Sequence, residues 1–283
     1  MSEIISNMTQ LRPLMLNEFR AELCDNLILD KVGMGIARTV RGIPVYPIIG
    51  GTTASIVRQN VELEPTLTNI TVKLAELKEV FTQIKITGRA NRISGYDIHE
   101  EAAKELGRSV SRLLNKWLLS PSLIAGENVV GPFVKESPTV EFVSETPTFK
   151  EIVALETKVI ETGAYDDGKG MYIVHPLMAS ILKTTPIADS DKMILENNTM
   201  NGYPVAVSSA VPDGVVEFGI FSYAVLNEFA EPNFVFDPYT DANNDVYIYS
   251  LQGEYDLTTL NAKAFAIGVT PTVYAQLYPE VEA

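Results

Sequence analysis

Cysteine and histidine are scarce in this chain of 283 residues, which contains one cysteine and two histidines. The single thiol, Cys24, excludes a disulfide within the chain and any metal site built from several cysteines, and we predict that it is a small buried apolar residue. His99 and His175 belong to no HExxH pattern and have no cysteine nearby. We therefore predict that both histidines are structural and that the chain holds no metal and no cofactor.

Basic residues are also few. The chain has 22 Lys and Arg against 36 Asp and Glu, which gives a formal charge of -14 at pH 7. Proteins that bind nucleic acid use Lys and Arg to displace counterions from phosphates, so this composition argues against nucleic acid as a direct binding partner. The acidic residues are spread along the chain, which predicts a solvated and mutually repelling surface.

Long apolar runs are missing. No stretch approaches the roughly 18 residues that a membrane span needs, and the first residues, MSEIISNMTQLRP, lack the basic and then apolar pattern of a signal peptide. We expect a soluble protein that stays in the cytoplasm where it is made and has no membrane partner. Because 46% of the residues are hydrophobic, the chain can form one or two real cores. It contains no internal repeat of 20 to 50 residues, so we do not expect a solenoid or a propeller.

The segment GAYDDGKG, residues 163–170, nearly matches the phosphate-binding loop G-x-x-x-x-G-K-[ST]. Gly170 takes the place of the magnesium-binding hydroxyl, and Asp166 and Asp167 would repel phosphate. The segment also follows a predicted helix and precedes a predicted strand, which reverses the order that the motif requires. We interpret it as a surface turn.

A second acidic segment, Asp241 to Asp245, has carboxylate or amide groups at alternate positions like the start of a calcium loop. Val246 and Gln252 replace the obligatory glycine and the bidentate glutamate of that loop, so we predict a turn between strands. No serine lies in a G-x-S-x-G pattern. We accordingly predict no catalytic residue and no enzymatic activity.

Residues 97–119 predict a long helix. Asp97 and Glu100 are placed as an N-terminal cap pair, and Pro121 follows the end. At about 1.5 Å per residue, this helix would be about 35 Å long and could cross a whole domain. Its apolar residues recur at helical spacing: Ile98, Ala102, Leu106, Val110, Leu114 and Trp117.

A second helix is predicted to begin at Thr148, which forms a Thr-x-x-Glu capping box with Glu151, and to end with Gly163 as a left-handed C-cap. After it, the strand MYIV leads into His175 and Pro176, and proline suits the first position of a short helix over residues 177–183. The remainder is predicted to be rich in strands, at residues 203–211, 216–221, 245–251 and 262–269.

Residues 43–71 have a strand-like composition interrupted by Gly50, Gly51 and Pro65, which predicts a long hairpin. With about 14 residues per arm at about 3.3 Å each, it would reach about 45 Å. An isolated two-stranded ribbon is marginally stable in water. Two interpretations stay open on these residues alone, a hairpin packed on its own domain and one covered by a neighbouring molecule. The second would bury Ile56, Val57, Val61, Leu63 and Leu67.

The order of these elements from about residue 26 to residue 268 resembles the major capsid proteins of tailed bacteriophages with the Hong Kong 97 (HK97-like) fold. That family runs from an extended N-terminal arm to a long extended loop, paired strands, a long spine helix, an apical domain and strands that return to a peripheral sheet. Residues 43–87 are similar to the extended loop and its return strands, including Pro65, and residues 97–119 are similar to the spine helix.

Two local segments add to the resemblance. MYIVHPLMASILKTT, residues 171–185, is similar to a strand, helix-starting proline and helix of the family, which often has Asn where His175 stands. MNGYPVAVSSAVPDG, residues 200–214, resembles the family's G-x-P-V signature at Gly202, Pro204 and Val205. Order and spacing over most of the chain carry the resemblance.

The resemblance implies an α+β fold with the HK97-like capsid architecture. The implied division is an N-terminal arm and short helix at 1–42, an extended loop at 43–71, a peripheral domain with the spine helix at 72–123 and 229–283, and an apical domain at 124–228.

The resemblance also implies a function. We expect a structural protein that self-assembles as hexamers and pentamers into an icosahedral head shell, is made in the bacterial host cytoplasm and resides in the virion. The shell would enclose packaged DNA without binding it specifically, and its partners would be portal, separate scaffolding and possible decoration proteins. The alternatives are an encapsulin-type nanocompartment shell protein and a small acidic α/β enzyme.

Two features depart from the founding type of the family. That type has a long scaffolding segment ahead of the arm, whereas this sequence starts at Met1 close to the arm, so we expect a separate scaffold or none. It also cross-links a lysine of the extended loop to a neighbour, but residues 43–71 contain no lysine. We expect cohesion from burial, strand addition and ion pairs instead.

Overall fold

The computed structural model describes a defined part of the chain: residues 13, 15–23, 27–28, 35–38, 45–49, 70–74, 77–89, 98–119, 137–162, 169–188, 190–241 and 245–277. Several predictions lie outside these residues. They are the burial of Cys24, the cap at Asp97, the C-cap at Gly163, the turn at 163–168, the first 12 residues of the arm, and ribbon residues 50–69.

The described residues form helices, strands and two short 3-10 turns, at Phe221–Tyr223 and Ala262–Ala264. The helices are α1 (residues 15–23), α2 (Ile98–Leu119), α3 (Phe149–Glu161), α4 (Pro176–Thr184) and α5 (Pro271–Leu277). The strands are β1 (Gly35–Arg38), β2 (Val45–Ile49), β3 (Ile70–Leu74), β4 (Lys78–Thr87), β5 (Thr139–Glu141), β6 (Met171–Val174), β7 (Thr199–Met200), β8 (Tyr203–Val207), β9 (Val215–Gly219), β10 (Ala224–Glu228), β11 (Asn233–Asp241), β12 (Val246–Thr259) and β13 (Phe265–Val269).

A five-stranded sheet is built around the 14-residue strand β12. Antiparallel partners pair with β12 along most of its length: β4 along residues 246–255, β11 within residues 246–252 and β10 along residues 255–259. Strand β1 adds to β10 in parallel. The segment that precedes the predicted ribbon therefore contributes a strand to this sheet.

A six-stranded sheet has the order β5-β13-β9-β6-β8-β7. Its parallel pairs are β5 with β13 and β6 with β8, and the other pairs are antiparallel. Strand β9 lies in its interior, and all five of its residues are buried.

The long helix predicted over 97–119 is confirmed as α2. Its predicted apolar stripe forms part of the larger core, together with residues of α1, β4, β10, β11 and β12. Helix α1 crosses α2 closely at Gly107, where an added Cβ would lie 2.8 Å from the carbonyl oxygen of Phe19. The stripe residues Ala102, Leu106, Val110, Leu114 and Trp117 are all buried.

Two helix starts form as predicted. Thr148 is the N-cap of α3, and its hydroxyl and amide complete the capping box with Glu151. Pro176 occupies the first turn of α4, and Nδ1 of His175 accepts a hydrogen bond from the amide of Leu177 at 3.3 Å. His175 thus caps α4, which is a task that the side-chain oxygen of an asparagine also performs.

The strand predictions are partly wrong. No strand bounds were predicted between residues 222 and 244, but β10 and β11 both lie there. Asn227, Glu228 and Pro238 lower the local strand signal, and burial between neighbouring strands overrides it. The predicted strand at 203–211 ends at Val207, the one at 245–251 continues to Thr259, and the start of the one at 262–269 is a 3-10 turn.

Candidate functional site

The predicted hairpin is present at its base. Strands β2 and β3 pair antiparallel from Val45 with Leu74 to Ile49 with Ile70. They form a sheet of their own, and in the part of the chain that the structure describes no third strand joins them. The point where the base of this ribbon contacts the rest of the protein is the first candidate site.

Tyr46 attaches the ribbon to the five-stranded sheet. Its hydroxyl donates a hydrogen bond to the side-chain oxygen of Asn227 on β10. Asn227 is completely buried, so its amide must find partners within the protein. The contact joins residues 181 positions apart, and it fixes the ribbon base against the sheet.

A buried polar chain continues from this contact across the sheet. The side-chain amide nitrogen of Asn227 donates to the hydroxyl of Thr258 at 3.0 Å, and that hydroxyl donates to the carboxylate of Asp256 at 2.7 Å. Thr258 and Asp256 are both buried. We call these three residues, together with Tyr46, the ribbon anchor.

The electrostatics of the ribbon anchor keep Tyr46 a hydrogen-bond donor. Burial and then the negative charge of Asp256 raise the pKa of Tyr46, while the hydrogen bond to Asn227 acts in the opposite direction. The hydroxyl is therefore protonated at neutral pH. Each side chain of the ribbon anchor is hydrogen-bonded to the next one. A network with all these bonds made favours one position of the ribbon base.

The same strand holds helix α1 on its other face. Arg20 of α1 lies 3.5 Å from the carboxylate of Glu228 and 3.3 Å from that of Glu231. Adjacent residues of a strand point to opposite faces, so Asn227 meets the ribbon while Glu228 meets α1. Strand β10 thus attaches two segments that come before residue 50.

The outer face of the five-stranded sheet is the second candidate surface. Residues of β4 alternate between this face and the core, and Phe81 on the outer face is 64% exposed. Val235 of β11 on the same face is 46% exposed. Between them, Gln252 donates to Glu79 at 3.0 Å. These two exposed apolar side chains make this face a candidate contact surface.

Strand β4 also offers a backbone edge. Among the described strands it pairs only with β12, so its other side presents peptide groups that can accept a further strand. Lys78, Glu79 and Lys85 carry charges along it. Charged side chains on an edge restrict which strands can add there.

The structure gives both histidines a partner. His99 lies against the aromatic cluster of the sheet, with Nδ1 3.0 Å from the hydroxyl of Tyr249 and its ring edge-on to Phe236. His175 caps α4. The described residues contain no cluster of three or more metal-ligating side chains, and no described helix is long and apolar enough to cross a membrane.

The acidic segment lies between two strands, as predicted, although residues 242–244 are outside the described residues. Asp241 ends β11 and pairs with Val246, the first residue of β12. Asp245 has a positive φ of 54°, which suits a tight turn and which Asp tolerates.

The sequence analysis missed the ribbon anchor. Its strongest signal was Asn227 within the apolar run AVLNEF, because a buried asparagine needs a partner. It also missed Glu217, a buried glutamate in β9. The signal there was a single charge in a strand that is otherwise apolar on both faces.

The fold is that of phage capsid proteins. The capsid of a native GTA particle is similar with a TM-score of 0.67 and 14% identity over 86% of this chain and 89% of that chain. Gordonia phage Cozz matches with a TM-score of 0.65 and 12% identity over 86% of each chain. The virus-like particle from Pyrococcus furiosus matches with a TM-score of 0.60 and 11% identity over 90% of this chain and 97% of that chain.

No protein-family model matches the sequence, and no curated protein matches it either. The mixed α+β architecture and the predicted resemblance to the HK97-like capsid fold are confirmed at the level of the fold.

Proposed function

We propose that this chain is a major capsid protein that self-assembles into the icosahedral head shell of a tailed bacteriophage and encloses its genome. The observation that carries the proposal is the fold match, which covers 86% of this chain and 89% of a capsid chain. The proposed role is structural and not enzymatic.

In this proposal α2 is the spine helix and residues 43–71 are the extended loop. Residues 1–42 are the arm, 72–123 and 229–283 the peripheral domain, and 124–228 the apical domain. Strand β13 hydrogen-bonds to β5 and β9, so the two proposed domains share the six-stranded sheet.

The ribbon is the proposed link between subunits. A two-stranded ribbon has too little apolar burial to be stable alone, and the ribbon anchor holds only its base. We infer that the rest of the ribbon and the arm lie across adjacent subunits of pentamers and hexamers. The outer face around Phe81 and the edge of β4 supply apolar and backbone contact surfaces for such neighbours.

The proposed partners and location follow from the shell function. The chain would be made in the bacterial host cytoplasm and reside in the virion capsid, with portal, separate scaffolding and decoration proteins as partners. The charge of -14 supports a shell that encloses DNA without specific binding.

A second candidate is an encapsulin-type compartment that encloses cargo proteins. The match to the virus-like particle from Pyrococcus furiosus, which covers 97% of that chain, favours it. The two candidates differ in what the shell contains, so the content of purified particles decides between them.

The test is to express the full chain in bacteria, with and without the proteins of its neighbouring genes, and to examine the product by electron microscopy and native mass spectrometry. Closed shells of many copies are expected. A Phe81→Ser variant should assemble less, while Leu177→Ser, which changes an exposed apolar residue on α4, should assemble normally. Monomers alone under every condition would refute the shell function.

A further inference from the structure

Between residues 215 and 269, two connections join the six-stranded sheet to the five-stranded sheet. The first leads from β9 through the 3-10 turn Phe221–Tyr223 into β10, and the second leads from β12 through the turn Ala262–Ala264 into β13. These connections carry every backbone path between the two sheets from residue 215 to residue 269. We call them together the sheet junction.

The two halves of the sheet junction are bonded to each other. The amide of Ile220 donates to the carbonyl of Ala264 at 3.0 Å, and the amide of Leu260 donates to the carbonyl of Tyr223 at 2.7 Å. The ring of Phe221 lies edge-on to that of Phe265 with centroids 5.5 Å apart. Two backbone hydrogen bonds and one aromatic contact thus join the two connections directly.

Glu217 lies beside the sheet junction with its carboxyl group buried. It is 3% exposed, and neither carboxyl oxygen has a hydrogen-bond partner among the described residues. Its neighbours across the sheet are Ile173 on β6 and Ile267 on β13. Phe221 and Phe265 of the junction line the same small space, which has no room for a water molecule.

No charge compensates the Glu217 carboxyl in the part of the chain that the structure describes. The flanking stretches of β6 and β13 are MYIV and FAIGV, without a charged residue. The titratable side chains of the junction turns are Tyr223, which is half-buried, and Lys263, which is exposed, and neither bonds to Glu217. Burial raises the pKa of Glu217 well above its ordinary value.

We propose that Glu217 is a proton-controlled switch of the sheet junction: the neutral carboxyl keeps the junction closed, and its ionisation opens the junction. A carboxylate in apolar surroundings without a partner is far less stable than a neutral carboxyl, so ionisation requires access to water. Opening at Phe221 and Phe265 gives that access while the strands on either side keep their pairing.

The sign of the pH dependence follows from the raised pKa. The contribution of the neutral carboxyl is fully present below the ordinary pKa of a glutamate and is lost as the pH rises through the folded-state pKa. Between the ordinary pKa of a glutamate and the pKa of Glu217 in the closed junction, the equilibrium constant for opening increases by up to about tenfold per pH unit, because a single group titrates. The fraction of open junction should thus increase from acid to alkali.

The test is amide hydrogen exchange of the purified full chain over a pH series, corrected for the intrinsic exchange rate. Protection of the amides of Ile220 and Leu260 should fall as the pH rises, while the amides of α2 stay protected. Glu217→Gln should remove this dependence. Glu141→Gln, which changes an exposed carboxylate on β5 of the same sheet, should behave as the wild type.

Three results would overturn the switch: junction protection that does not change with pH, an unchanged dependence in Glu217→Gln, or a simultaneous loss of protection in α2, which would mean global unfolding. If Glu217→Gln does not fold, the carboxyl of Glu217 is titrated in the wild-type chain by NMR. An ordinary glutamate pKa there would refute the proposal. Since the measurements use the isolated chain, their outcome is separate from that of shell assembly.

Discussion

Removal of one hydroxyl should loosen the base of the ribbon. In Tyr46→Phe the ring is kept, so almost no apolar burial is lost, but the completely buried side-chain oxygen of Asn227 loses its donor. A buried acceptor left without a partner costs about 1–3 kcal/mol. We therefore expect the free energy of unfolding to decrease by about 1–3 kcal/mol.

Urea denaturation followed by circular dichroism measures this change. Tyr247→Phe is the matched control, because Tyr247 lies in β12 on the opposite face and should change stability by less than about 0.5 kcal/mol. A double-mutant cycle with Asn227→Ala should show a smaller loss than the sum of the single variants. A Tyr46→Phe variant as stable as the wild type, or strictly additive effects, would refute the ribbon anchor.

Three further changes test local structure by the same denaturation assay. Gly107→Ala should destabilise the chain by about 1–3 kcal/mol, although alanine favours a helix by about 1 kcal/mol, because its Cβ would meet the backbone of α1 at Phe19. His175→Ala should cost about 1 kcal/mol by removing the cap of α4, whereas His175→Asn should retain nearly full stability. Thr148→Ala should cost about 1 kcal/mol by breaking the capping box of α3, and an unchanged midpoint would contradict that role.

The features predicted best from the sequence are the helices and their starts, because residues close together along the chain determine them. The helical spacing of apolar residues located α2, and Thr148 and Pro176 located the starts of α3 and α4. These signals act within one or two turns of helix, so they can be read from a single sequence.

Strands, hydrogen bonds and buried charges that depend on residues far apart in the sequence could not be predicted in the same way. Strands β10 and β11 contain residues with poor strand propensity and form because β12 pairs with both. The partner of Tyr46 lies 181 residues away, and a tyrosine in a ribbon carries no mark of the asparagine that will accept its hydrogen bond. The burial of Glu217 likewise became visible only when β6 and β13 were placed on either side of it.

The central position of β12 has a mechanical consequence. Strand β4 runs along one side of β12, while β11 and β10 follow one another along its other side, and the chain then continues through the 3-10 turn into β13. A force applied along the axis of β12 would therefore act on partners along both of its sides. It would load two rows of hydrogen bonds in shear at once instead of breaking them one by one, so the sheet should resist extension along β12 more strongly than peeling of a single strand.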